Sequence, residues 1–136
     1  MTFQKTQIEP PMLNDVPAAF LRDQREKGLR LCWPDQRTTQ AAQAWIKKAW
    51  AEFRKEIISD SHPPVGGIFC FDYHECKGDY AEVDGICVWL DGMTEFFIGI
   101  AKDVFESEDY TLFIFLHELC HVLAWTPEGH DKRFEE

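Results

Sequence analysis

Apolar residues at Trp45, Ile46, Ala49, Trp50, Phe53 and Ile57 recur at intervals of three and four. That is the period of one face of an α-helix, and lysines and glutamates fill the positions between. The pattern predicts a helix capped by Thr38 or Thr39 and running to about residue 58. A shorter helix is expected over about 17–27, with Asn14 or Asp15 as its cap and Gly28 as its end. Residues 59–67, with Pro63-Pro64 and Gly66-Gly67, read as a loop. The period then changes. Runs at 68–73, 86–90 and 94–101 are rich in β-branched and aromatic residues and read as strands, separated by Gly78, Gly85 and Asp91-Gly92. Asp91-Gly92 is a hairpin signal. Last comes Leu112-Phe113-Ile114-Phe115-Leu116, continued by Leu119, Val122 and Leu123 at helical spacing, with Asp109 expected as the cap.

The order helices, strands, helix predicts an α+β domain, with N-terminal helices and a short antiparallel sheet packed against the last helix. Residues 1–15 read as an irregular tether and 16–136 as one domain.

Composition narrows the class. A chain of 136 residues with 45% hydrophobic and 14% aromatic content is globular and has room for one core. No apolar run reaches membrane-spanning length and no signal-peptide pattern opens the chain, so a cytoplasmic protein without membrane contact is expected. Five cysteines without a C-x-x-C pair predict buried or reduced thiols, with Cys70 and Cys76 able to pair across a turn. Fourteen basic residues stand against 24 acidic ones, a net charge of −10. Affinity for nucleic acid comes largely from cations that neutralise phosphates, so this balance argues against direct nucleic-acid binding.

The chemistry concentrates in the last helix. His117-Glu118-Leu119-Cys120-His121 places two histidines at i and i+4 on one helix face, where both imidazoles can reach one metal ion. Glu118 stands about 100° around the helix from His117, within reach of a water on that metal. Pro127 cannot extend the helix and Gly129 permits a tight reversal, so His130 is placed to return as a third ligand. His117, His121 and His130, with Glu128 and Asp131 as lesser alternatives for the third position, are thus the candidate zinc ligands and Glu118 the candidate general base on a zinc-bound water. The metzincin pattern is not met, since Ala124 stands where that pattern has glycine. His74, in Asp72-Tyr73-His74-Glu75-Cys76, is expected in a solvated loop. Tyr73, Tyr80 and Tyr110 can each supply a hydroxyl to an oxyanion, and spacing selects none of them.

The segment Leu116 to His121, then Trp125, Gly129-His130 and Phe134, resembles the SprT-like zincin metallopeptidases. Small zincins of phage-related families share the same helix. The resemblance implies a zincin fold, Zn²⁺ held by His117, His121 and His130, catalysis by Glu118, and an aromatic residue packed behind the third ligand. It also implies a polypeptide substrate lying extended along an edge strand, with 86–90 and 94–101 both candidates for that edge. The cysteine-rich zinc ribbon of many SprT-like proteins is missing here. The expected activity is that of a zinc-dependent metalloendopeptidase. The alternative is a non-catalytic or latent acidic zinc-binding protein that uses the same scaffold to hold a protein partner.

Overall fold

The computed structural model describes residues 10–32, 35–56, 65–81, 83–89 and 95–124. Its elements are α1 (Ala18–Glu26), α2 (Gln36–Glu56), β1 (Val65–Phe71), β2 (Gly85–Val88), β3 (Phe96–Ala101) and α3 (Glu108–Ala124). Short 3-10 turns occupy Gly78–Tyr80 and Lys102–Glu106. The fold is α+β.

The three strands form one sheet in the order β1-β3-β2. β2 runs antiparallel to β3, as expected, but β1 runs parallel to it, with Ile68 opposite Ile98 and Cys70 opposite Ile100. The sheet is therefore mixed. After β1 the chain leaves through a turn at 73–75, buries Tyr80, and re-enters as β2 one strand's width away. β3 fills the gap between them. Strand propensity is the same in either direction, so sequence pattern could not reveal this insertion.

The two sheet faces bury different residues, as alternation along each strand requires. Phe69, Phe71 and Phe97 lie on one face, where Phe20 of α1 stacks on Phe97 at 4.1 Å and meets Phe69 at 5.6 Å. Tyr80 closes the same side against Phe69 and Phe71. Ile68, Ile98 and Ile100 lie on the other face, fully buried. There α3 crosses β2 and β3, and α2 packs on α3 through Trp50 and Phe115, at 6.5 Å. Ala42, Ile46 and Trp50 are the buried line of α2, in agreement with the apolar stripe, while Trp45 and Ala49 pack at its margin. Gln43 is also buried, and is satisfied: it accepts from the Leu13 N–H and donates to the Pro11 carbonyl.

Several boundaries differ from expectation for local reasons. α2 begins at Gln36 because Asp35, not Thr38 or Thr39, is the cap; its carboxylate accepts from the Thr38 N–H and hydroxyl, each at 2.9 Å. α1 has no side-chain cap. Asn14 is instead left-handed (φ 67°), and its side chain accepts from the Cys70 N–H. Of the expected loop 59–67, residues 59–64 lie outside the described residues, and Val65, Gly66 and Gly67 belong to β1. Gly67 serves packing, since a Cβ there would strike Val16. The Asp91-Gly92 hairpin signal also lies outside the described residues.

The outer edge of β1 is covered. Leu13 bridges Ile68, Leu31 bridges Phe71, and Cys32 donates its N–H to the Cys70 carbonyl. This pairing sets the Cα atoms of Cys32 and Cys70 5.6 Å apart, and the two are joined as a disulfide. The expectation of reduced thiols is corrected for this pair, and Cys76 does not bond to Cys70. Cys76, Cys87 and Cys120 are free thiols. Among the described residues β2 pairs only with β3, and its other side is an open edge among them. No helix among the described residues is long and apolar enough to cross a membrane.

Candidate metal centre

α3 starts one turn earlier than its apolar run. Ser107 is the cap, accepting from the Tyr110 N–H through its hydroxyl and from the Thr111 N–H through its carbonyl. Asp109, the expected cap, sits with Glu108 in the first turn, where negative charge suits the helix dipole. Thr111, Ile114, Phe115, Glu118, Leu119 and Val122 are buried. These positions follow the three-four rhythm of a single face, and Glu118 is on it. His117 is exposed and His121 half-buried.

The two imidazoles sit edge to face with ring centroids 5.2 Å apart. Ligand atoms of His117, Glu118 and His121 all lie within 4.8 Å of one another, a group that can hold a metal ion. Metal–ligand bonds of about 2.0–2.2 Å place two tetrahedral ligands about 3.4 Å apart. Nitrogen and carboxylate oxygen are a donor set that suits zinc and neighbouring divalent metals.

Glu118 is the unusual member. The residue is only 5% exposed, and no hydrogen bond reaches its carboxylate among the described residues. Burial pushes it up from 4.5 to about 7. A buried carboxylate without a donor is costly, and a cation or a water beside it supplies what the fold does not. The residues present therefore fit a divalent metal. His121 is held below the usual histidine value by burial first and by the neighbouring His117 second. Both effects favour the neutral imidazole, the form that ligates.

The sheet edge completes the wall. A Cβ at Gly85 would lie 3.0 Å from Glu118 Oε2 and 2.6 Å from Ile114 Cγ2, so β2 approaches α3 this closely only because position 85 is glycine. Gly85, by sequence a separator between strands, is where β2 contacts Glu118. Cys87 lies two residues further along the same face. Its thiol is pushed far up by burial, and further by the charge of Glu118.

The remaining candidates lie apart from this group. Tyr80 is buried across the sheet, its hydroxyl donating to Gln24 Oε1. Tyr110 donates to Asp84 from the exposed side of α3. It stacks on Phe113 at 6.4 Å, and Phe113 lies 6.3 Å from His117. Tyr73 is raised by burial and by Asp103. His74 sits exposed in the turn, 3.5 Å from Asp103. Trp125, Pro127, Gly129, His130 and Phe134 lie outside the described residues. Comparison with known proteins adds nothing to this geometry: no family model, curated protein or solved structure matches the chain.

Proposed function

We propose that the chain is a zinc-dependent metallopeptidase of the minimal zincin kind, with His117, His121 and His130 as ligands and Glu118 as general base. The observation that carries this reading is the Glu118 carboxylate, buried and without a donor among the described residues, in one group with His117 and His121 beside a sheet edge that is open among those residues. A structural zinc site closes its coordination and has no use for such a base. Bound there, Zn²⁺ would act as a Lewis acid on a peptide carbonyl and on the attacking water. Glu118 takes a proton from that water and passes it to the leaving amine. Its value near 7 without metal suits a group that must both accept and release a proton.

Substrate would lie along β2. The Ala101 N–H donates to the Asp84 carbonyl at 2.9 Å. Alternation in an antiparallel pair then turns Ile86 and Val88 toward β3 and leaves the backbone groups of Gly85 and Cys87 pointing outward. An extended polypeptide adding to that edge meets these groups next to Glu118. The SprT-like resemblance of the motif supports the same reading.

The net charge of −10 favours one competing reading, an acidic zinc-binding protein that occupies a basic protein partner without cleaving it. Zinc analysis of the purified protein, with a cleavage assay on an unfolded polypeptide, separates the two. The peptidase binds one zinc, cleaves the polypeptide, and loses the zinc in His117→Ala. Zinc bound without cleavage supports the binding protein, and a full zinc complement in His117→Ala refutes the ligand set.

A further inference from the structure

Along the outer edge of β1, the ribbon 30–32 is fastened to the sheet by one covalent bond. We propose that the Cys32–Cys70 disulfide is a redox latch, which a dithiol reductant opens so that the ribbon lifts and uncovers the end of β1.

The ribbon has a fixed root and few other holds. Leu29 is fully buried, and just before it the Gly28 carbonyl accepts from the Lys77 N–H at 2.9 Å. Beyond Leu29 the burial ends: Arg30 is exposed, and Leu31 and Cys32 are only half-buried. Two backbone hydrogen bonds join these residues to the sheet. The Cys32 N–H donates to the Cys70 carbonyl at 3.1 Å, and the Asp72 N–H donates to the Arg30 carbonyl at 3.3 Å. A third thiol lies against the ribbon. Cys76 Sγ accepts from the Arg30 N–H at 3.1 Å and donates to the Arg30 carbonyl at 3.5 Å, and sulfur is a weak partner in both directions. Cys76 is 7% exposed. Burial raises its thiol above the usual value, which keeps it protonated and out of exchange with the disulfide.

The chemistry is thiol–disulfide exchange. Cys70 is fully buried, so a thiolate of the reductant attacks Cys32 Sγ, the more exposed sulfur. The Cys32–Cys70 bond breaks, a mixed disulfide forms on Cys32, and Cys70 leaves as a thiolate that takes up a proton. The reductant's second thiol then attacks its own sulfur in the mixed disulfide and frees Cys32 as a thiol. Two electrons and two protons pass to the protein, and the dithiol becomes a disulfide. The cross-link bridges a sequence separation of 38 residues; without it only the hydrogen bonds above and the half-buried Leu31 hold the ribbon down. Release frees the Cys70 carbonyl and the Asp72 N–H, two edge groups with which a strand of another polypeptide can pair.

The test follows Cys76, which the ribbon shields. The full chain is alkylated with iodoacetamide before and after treatment with dithiothreitol, the reductant being removed without air, and peptide mass spectrometry reads the rate at each cysteine. Cys76 should react about 10-fold faster or more in the reduced protein, as local opening no longer works against a cross-link. Cys87, on the strand at the other side of the sheet, should change less than about twofold, because the opening is local. Reoxidation should restore the protection of Cys76. Cys32→Ser should show the fast Cys76 rate without reductant, and the reduced wild type serves if this variant does not fold. Equal Cys76 rates in the two redox states overturn the latch. So does acceleration of Cys87 in step with Cys76, which marks a staple for the whole fold. Absence of a Cys32–Cys70 cross-linked peptide after treatment with oxidised glutathione overturns it as well.

Discussion

Glutamine in place of Glu118 removes a buried ionisable group for which the described residues offer no donor, and the consequence is a change in how stability depends on pH. In the metal-free protein burial raises this carboxyl from 4.5 to about 7. The folded state then holds a proton that the unfolded state has released, across the window between those values. Stability from this group is full below about pH 4.5, falls as pH rises through the window, and is flat above about 7. At about 1.4 kcal/mol per tenfold, the whole window is worth about 3 kcal/mol. Between pH 5.5 and pH 8 the wild type should lose about 2 kcal/mol relative to Glu118→Gln, whose amide does not titrate. Urea unfolding of both proteins in EDTA measures the gap at the two pH values. Adding zinc should shrink its pH dependence, because a neighbouring cation favours the carboxylate. A gap that is the same at both pH values refutes the claim that burial raises the Glu118 carboxyl.

Other substitutions test the surroundings. Gly85→Ala places a methyl against Glu118 and Ile114; overpacking of this kind costs about 1–3 kcal/mol, and thermal unfolding together with a zinc titration should show lower stability and weaker zinc binding. Ser107→Ala removes the α3 cap and should cost about 1 kcal/mol in urea unfolding. Tyr110 is raised by its hydrogen bond to Asp84 first and by burial second, so Asp84→Asn should move one tyrosine transition to lower pH in an ultraviolet titration.

The parts of this fold that were legible in the sequence are those whose signal is local. The stripe of α2 and the apolar run of α3 are periodic, and a three-four period has one structural solution. The i, i+4 spacing of His117 and His121 likewise fixes their shared face. What escaped is long-range. The insertion of β3 between β1 and β2 depends on pairing partners, which propensity does not encode. The Cys32–Cys70 disulfide follows from a ribbon docked on β1, across a separation of 38 residues that carries no pattern. Gly85 reads as a turn residue until α3 is seen to lie against it. The burial of Glu118 was hidden for a related reason. The motif states which side of the helix it occupies, while the sheet behind it decides that the side is buried.

The central claim is that Glu118 acts as the base of a zinc peptidase. The most direct measurement is the rate of cleavage of a fluorescently labelled, denatured polypeptide by wild type and Glu118→Gln at equal zinc occupancy. Loss of a positioned general base predicts a rate lower by about 10²-fold to 10⁴-fold in the variant. Equal rates in the two proteins would contradict the assignment.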